Sequence, residues 1–109
     1  MIEKKLLVPQ NCPVTQCMDI IGGKWKTIII YLISLGINRF GKLQRSCKGI
    51  SKQMLTKQLR ELERDGILNR QIFAEIPPRV EYSITPKGET LFPIIESMEK
   101  WGLQNSIDR

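Results

Sequence analysis

The sequence contains no histidine among its 109 residues. Histidine is the side chain most often used for acid–base chemistry near neutral pH and a common metal ligand, so its absence removes both uses. Cysteine is also scarce: three are present, an odd number, and no two form a Cys-X-X-Cys pair. Neither a disulfide scaffold nor a zinc module is indicated. Because no other catalytic constellation stands out, we predict a protein that is not an enzyme and that holds no metal and no cofactor.

Long apolar runs are missing as well. The longest spans Ile28 to Leu35 and is interrupted by Ser34, whereas a helix needs about 20 apolar residues to cross a bilayer. The N-terminal residues carry only a short apolar stretch and include Glu3, which is too little for a signal peptide. We therefore expect a cytoplasmic protein with no membrane partner. A chain of this length, with 41% hydrophobic residues, fits one packed domain and not two.

Acidic residues are absent from one long segment. Residues 20–60 contain no Asp or Glu, whereas the segments on either side are neutral or acidic overall. The basic residues in this segment are Lys24, Lys26, Arg39, Lys42, Arg45, Lys48, Lys52, Lys57 and Arg60. Solvated surfaces usually mix both signs, while a basic surface free of acids favours phosphate binding because each neutralised phosphate releases counterions. The sequence therefore predicts a polyanionic partner, and charge alone leaves DNA, RNA and an anionic membrane open.

Two helices are predicted in the first third of the chain. The first begins at Cys12-Pro13, because proline is tolerated at the first helical position, and ends at Gly22-Gly23. The second covers about Lys24 to Leu35 and is apolar on nearly every side, so we expect it to be buried. Its expected core-facing residues are Trp25, Ile28, Ile29, Leu32 and Leu35.

A helix-turn-helix is predicted next. A short helix from about Arg39 to Ser46 is followed by a turn at Lys48-Gly49, and Ser51 is suited to cap the helix that follows. Leu55, Leu59 and Leu62 form the buried stripe of that helix, and Gly66 ends it. Two short helices joined by a tight turn match a DNA-binding helix-turn-helix.

The opposite face of the second of these helices is polar and basic. Gln53, Thr56, Lys57, Arg60 and Arg64 lie on it at helical spacing, and these side chains can bond base edges and phosphates. An ordinary amphipathic helix with solvated lysines is the alternative. The absence of any acid before Glu61 favours the DNA interpretation.

Residues 68–85 change to the two-residue period of strands. A turn at Pro77-Pro78-Arg79 would place three apolar pairs opposite each other, namely Ile76 with Val80, Ala74 with Tyr82, and Ile72 with Ile84. A hairpin after a helix-turn-helix is a wing, and this register puts Arg79 at its tip. An arginine there can enter a minor groove or touch phosphate. A tip arginine retained only for solubility is the alternative.

The last helix is predicted to begin at Thr85-Pro86 and to be kinked by Pro93. It carries a wide apolar stripe that a small winged domain does not easily cover, so we expect this stripe and the first helix to form a dimer interface. The predicted interface residues are Met18, Leu91, Ile94, Ile95, Met98 and Trp101. Burial of the stripe within one subunit is the alternative.

Taken in order, several short motifs resemble the HxlR family of bacterial transcription regulators. They are Cys12-Pro13, Ile20-Ile21-Gly22-Gly23-Lys24-Trp25, Arg39-Phe40, Gly49-Ile50-Ser51, Leu55, Leu59-Arg60-Glu61-Leu62, Asp65-Gly66, Pro77-Pro78-Arg79-Val80-Glu81-Tyr82, Thr85-Pro86, Gly88 and Trp101-Gly102. The resemblance implies a mainly α winged helix-turn-helix with a small β-hairpin, acting as a homodimer on operator DNA. It places the domain at residues 12–102, between an N-terminal arm (1–11) and a C-terminal tail (103–109). Lys42 departs from the family, whose members often carry an acid at that position.

The predicted function is accordingly a DNA-binding transcriptional regulator that acts as a homodimer on a two-fold, double-stranded operator. The predicted DNA-binding residues are Lys24, Arg39, Lys48, Ser51, Lys52, Gln53, Thr56, Lys57, Arg60 and Arg79. A winged-helix module that binds RNA or another protein is the alternative.

Thiol control is a further expectation. The resemblance implies that Cys12 corresponds to the N-terminal cysteine with which some members sense oxidants or electrophiles. Its place at a helix start favours the thiolate, although free cysteine is more commonly a small buried hydrophobe. Cys47 lies in the turn before the recognition helix, so oxidation joining it to Cys12, within or between subunits, would move that helix. Because Cys17 is also present, the sequence leaves open which cysteine would form a disulfide with Cys12. A regulator without redox sensing is the alternative.

Overall fold

The computed structural model of the protein describes residues 12–106. Within this range the chain forms six helices and two strands, in the order α1 (Pro13–Ile21), α2 (Lys26–Ser34), α3 (Phe40–Ser46), α4 (Lys52–Arg64), β1 (Leu68–Phe73), β2 (Arg79–Ile84), α5 (Pro86–Glu89) and α6 (Phe92–Gln104). The predicted class, mainly helical with one hairpin, is confirmed. The predicted N-terminal arm lies outside the described residues.

The first two helices form where the sequence indicates, and the predicted core face of α2 is partly confirmed: Ile29 is buried, and Trp25 and Leu32 pack against the core. Ile28 and Leu35, also predicted to face the core, are exposed. The prediction was wrong at these two positions because α2 is apolar on nearly every side, so its pattern does not select one face. The turn before it depends on Gly23, whose φ of 89° is a conformation that glycine adopts without strain.

The helix-turn-helix is formed by α3 and α4, as predicted. Ser51 caps α4, its Oγ accepting a hydrogen bond from the Met54 backbone N–H at 3.0 Å. The apolar stripe of α4, Leu55, Leu59 and Leu62, is almost completely buried. Together with α2, this stripe forms the centre of the hydrophobic core.

An antiparallel hairpin follows, but its predicted register is wrong. Val80 lies opposite Ile72 instead of Ile76, a shift of four residues along β1. The pairing ends at Phe73 and Arg79, because Pro77 and Pro78 have no backbone N–H for a ladder. A two-residue period does not distinguish registers that differ by an even number of residues.

The C-terminal region contains two helices where one kinked helix was predicted. Thr85 caps the short α5, and its Oγ1 accepts a hydrogen bond from the Gly88 N–H at 2.9 Å. Pro93 lies in the first turn of α6, where its missing N–H needs no partner, so it begins a new helix instead of bending one. Helix α6 continues to Gln104, two residues past the predicted end of the domain.

Candidate DNA-binding surface

The candidate recognition surface is the solvent-facing side of α4. Gln53, Thr56, Lys57 and Arg60 are all exposed there, and so are Ser51 and Lys52 at the helix start and Lys48 in the preceding turn. Because the leucine stripe holds the other side of α4 in the core, these groups point away from the protein. No carboxylate precedes Glu61 on this helix, so the N-terminal part of α4 presents no negative charge.

The first carboxylate on α4 is paired. Glu61 Oε1 lies 2.9 Å from Nζ of Lys26, the first residue of α2, and Lys26 is only 7% exposed. The hydrogen bond from Lys26 lowers the pKa of the Glu61 carboxyl below its ordinary value. Lys26 therefore joins α2 to the recognition helix and is not part of the phosphate-binding surface. The sequence did not predict this ion pair, because residues 20–60 around Lys26 contain no acid.

Lys24, in the turn between α1 and α2, is exposed and its Nζ lies 4.7 Å from the ring centroid of Trp25. This distance is in the range of a cation–π contact. Trp25 packs against the core, so the ammonium group is positioned by a side chain that is itself fixed. Lys24 is thus available to solvent on a defined part of the surface.

The two predicted arginines outside α4 come together beside the loop end of the wing. Arg79 is the first residue of β2 and not the tip of the loop, so the prediction that it lies at the tip is wrong. Its Nη2 lies 3.1 Å from Glu75 Oε2 and its Nε lies 3.1 Å from Glu81 Oε2. Arg39 Nη2 is 3.5 Å from the same oxygen of Glu81. The residues that reach furthest out are Ile76, Pro77 and Pro78.

One exposed residue of the recognition helix was not predicted. Met54 is 38% exposed, and its Sδ accepts a hydrogen bond from Gln58 Nε2 at 3.2 Å. An apolar group in a major groove contacts the methyl group of thymine. The sequence pattern did not reveal it, because methionine beside a leucine stripe is typical of core packing.

Large apolar side chains remain exposed on the first and last helices. Met18 is 50% exposed and Trp101 is 67% exposed, and Ile94 and Met98 are exposed beside them. Two of the predicted interface residues differ: Ile95 is buried in the core of its own chain, and Leu91 packs against that core. The sequence analysis missed Val14 and Leu103, which are exposed on the same two helices.

The three cysteines have different surroundings. Cys12 precedes α1 with an extended backbone, and the backbone N–H groups of Thr15 and Val14 lower the pKa of its thiol. Cys47 is buried at the end of α3, and this burial raises the pKa of its thiol. Cys17 packs partly against the core. All three are free thiols in this structure.

Residues 12–106 contain neither a cluster of metal ligands nor a membrane-spanning helix. No group of three metal-ligating side chains is close enough to hold an ion there. No helix in that range is long and apolar enough to span a membrane.

The helix-turn-helix of α3 and α4, with its capped second helix, and the hairpin that follows define a winged helix-turn-helix protein. A model described as HxlR-like helix-turn-helix matches residues 20–108, and the chain belongs to this family of transcriptional regulators. The resemblance found in the sequence is thereby confirmed.

Similar proteins agree with this assignment. The HTH-type transcriptional regulator YybR of Bacillus subtilis (strain 168) is 49% identical over 107 residues, which cover 96% of this chain and 86% of the relative. The redox regulator HypR in its oxidised form has a TM-score of 0.85 and 48% identity, over 89% of this chain and 100% of HypR. HypR in its reduced form has a TM-score of 0.82 and 49% identity, over 85% and 92% of the two chains.

Proposed function

We propose that this transcriptional regulator is a homodimer that reads a two-fold DNA operator with α4, and that chemistry at Cys12 controls the binding. The observation that carries the first part is the exposed face of α4. Its side chains combine hydrogen-bonding groups for bases with cations for phosphate, and the buried leucines hold this face outward. A regulator of this kind acts where the chromosome is, in the cytoplasm.

The dimer is supported by the apolar residues left exposed on α1 and α6. Ile94, Met98 and Trp101 recur at helical spacing on α6 and so share one face, and an exposed apolar face of this kind usually marks an interface. A symmetric dimer places its two recognition helices on half-sites roughly 34 to 36 Å apart, or a small multiple of that distance. The operator is therefore expected to be a palindrome with this spacing.

The test is selection of the bound sequence from randomised duplexes, followed by titration of selected and random duplexes. Gln53→Ala is expected to cost roughly 1 to 3 kcal/mol on the selected duplex and little on the random one, because it removes a base contact. Lys57→Ala should weaken both similarly and reduce the salt slope by about one unit, because it removes a phosphate contact.

Lys100→Ala is the matched control, since it removes one exposed positive charge from α6, remote from α4 in the sequence. If Gln53→Ala, like Lys57→Ala, reduces both affinities alike, the assignment of the reading face is wrong. If the protein prefers single-stranded RNA of matched sequence to every duplex, the DNA proposal fails.

Thiol control is supported by the exposed start of α1 and by the lowered pKa of Cys12. Disulfide formation with Cys47 would release two protons, and the oxidant would accept two electrons. Because Cys47 is buried, this bond requires movement at the end of α3, directly before the recognition helix. HypR, whose solved structures include an oxidised and a reduced form, is similar to this chain in fold and sequence.

The test of thiol control compares duplex binding before and after treatment with a quinone or a mild disulfide-forming oxidant. The native protein is expected to change its affinity, and Cys12→Ser is expected not to respond. Cys17→Ser is the matched control and should respond like the native protein. A full response in Cys12→Ser would remove the sensor and leave the DNA-binding proposal intact.

A further inference from the structure

The side chain of Arg79 is held within the protein from three sides. Two carboxylates, those of Glu75 and Glu81, each lie 3.1 Å from it. The guanidinium carbon also lies 4.2 Å from the ring centroid of Phe73, which is its partner across the hairpin. As a result only 31% of the Arg79 side chain is exposed. A planar guanidinium suits this combination of ion pairs and stacking better than any other cation.

The same cluster joins the wing to the start of α3. Glu81 Oε2 is shared between Arg79 on the wing and Arg39 at the beginning of α3. The backbone makes the same connection, since Arg39 and Glu81 form an isolated antiparallel bridge. Next to it, the Tyr82 N–H donates to the Asn38 carbonyl oxygen at 3.0 Å. The outer edge of β2 is therefore fixed to residues 38–39.

Charge counting argues against a phosphate contact by Arg79. The two arginines of the cluster face two carboxylates, so the cluster as a whole carries no net charge. Two of the three guanidinium nitrogens of Arg79 face carboxylates, so a phosphate contact by Arg79 would have to compete with two ion pairs already formed within the protein. Arg39 is freer: 48% of its side chain is exposed, and its contact with Glu81 is longer, at 3.5 Å.

We infer that Arg79 is a positioning residue of the winged helix-turn-helix: it fixes the angle of the wing against α3 through Glu81 and does not itself bind DNA. Arg39 is the cation at this junction that remains available to phosphate. The inference rests on the proposed function, because the angle matters only if the wing and α4 contact one duplex together. The inference also gives a role to Glu81, an acid beside the candidate phosphate-binding surface: it links Arg79 on the wing to Arg39 at the start of α3.

The test uses Glu81→Gln, because the two possible roles of Arg79 predict opposite changes in the duplex affinity of this variant. If Arg79 bound phosphate, removing a competing carboxylate would free it and strengthen binding to the selected duplex. If Arg79 positions the wing, Glu81→Gln and Arg79→Gln should each weaken binding by about tenfold, the scale of coupling within one ion-pair network. The double variant should then be no weaker than either single variant. Stronger binding by Glu81→Gln would overturn the inference.

Two further variants separate geometry from charge. Arg79→Lys keeps the positive charge and loses the planar fork, so we expect it to bind as weakly as Arg79→Gln. The salt slope of Arg79→Gln should equal that of the native protein, whereas Arg39→Gln should reduce the slope by about one unit. Native-like affinity in Arg79→Lys, or a reduced slope in Arg79→Gln, would contradict the inference. Glu89→Gln, which removes one exposed carboxylate from α5, is the matched control for Glu81→Gln.

A measurement without DNA keeps this test independent of the proposed function. The Tyr82 amide is protected by its bond to the Asn38 carbonyl, so its hydrogen exchange reports how firmly the wing is attached to residues 38–39. Arg79→Gln and Arg79→Lys should accelerate this exchange by about tenfold, while amides of α4 stay protected. Unchanged Tyr82 exchange in both variants would overturn the inference even if the native protein binds DNA as proposed. Failure of the native protein to bind any duplex, with accelerated exchange, would instead reject the proposed function.

Discussion

The helix-turn-helix and the two terminal helices show opposite relations between apolar sequence and burial. In α3 and α4 the apolar stripes are buried: Leu43, Leu55, Leu59 and Leu62 are each at most 1% exposed. In α1 and α6 much of the apolar surface faces solvent, most clearly at Trp101. One region completes its packing within a single chain and the other does not.

This difference indicates that the helix-turn-helix and the terminal helices have different roles. A reading helix must hold its orientation before it meets DNA, so its support is expected to be complete in each chain. In the proposed homodimer, the terminal helices would gain stability from a second copy of the chain, whose exposed apolar faces match their own. Four experiments test this comparison.

The largest effect is expected at Leu59. Leu59→Ala removes a side chain that is 1% exposed, and truncations of this kind cost about 2 to 5 kcal/mol of unfolding free energy because they leave a cavity. Urea unfolding at a fixed protein concentration measures the loss. Met98→Ala is the matched variant on α6, and in dilute protein it should change stability by less than about 0.5 kcal/mol. Equal losses in the two variants would contradict the comparison.

The next effect concerns association. Trp101→Ala should weaken the dimer by about 2 kcal/mol or more, because large aromatic residues at the centre of an interface commonly contribute that much. Analytical ultracentrifugation over a range of concentrations measures the change in Kd. Lys100→Ala, its exposed neighbour in the sequence, serves as the control and should leave Kd unchanged. A native protein that remains monomeric at micromolar concentration would contradict the proposed dimer.

A smaller effect is expected from the cap of α4. Ser51→Ala removes the acceptor for the Met54 N–H and should cost about 1 kcal/mol of stability. Ser51→Asp restores an acceptor and places a negative charge at a helix N-terminus, so stability should recover. The same carboxylate enters the basic surface, so duplex binding should weaken. Recovery of both properties in Ser51→Asp would mean that this end of α4 lies away from DNA.

The last effect changes reactivity and not stability. Backbone N–H groups lower the pKa of Cys12, whereas burial raises the pKa of Cys47. At a given pH below both pKa values, a larger fraction of Cys12 is therefore thiolate, which is the reactive form. Alkylation by iodoacetamide, followed by mass spectrometry across a pH series, should show a faster rate and a lower midpoint at Cys12. Equal rates and midpoints at the two thiols would show that the helix start does not activate Cys12.

Local signals predicted the helix-turn-helix correctly because its determinants are close in sequence. Ser51 lies three residues before the N–H that it caps, and the leucine stripe follows one helical period. Thr85 was predicted as a cap on the same basis. For such features the interacting groups are fixed by a few backbone angles, so tertiary context has little to decide.

Long-range features were not predicted. The prediction of which α2 residues are buried was wrong at Ile28 and Leu35. A helix that is apolar on every side has no sequence pattern that selects one face. The hairpin register was wrong because two registers of the same parity satisfy the same pattern. The pairing of Lys26 with Glu61 joins residues 35 positions apart and appears only once α2 packs on α4.

The sequence by itself determined the class of protein, the position of the recognition helix and the positive charge of its surface, because caps, helical periodicity and net charge are local or additive properties. The tertiary structure decided which charges remain available. It neutralised Lys26 with Glu61 and enclosed Arg79 between Glu75 and Glu81. The physical reason is that an ion pair depends on the distance between two side chains in space, and only packing sets that distance.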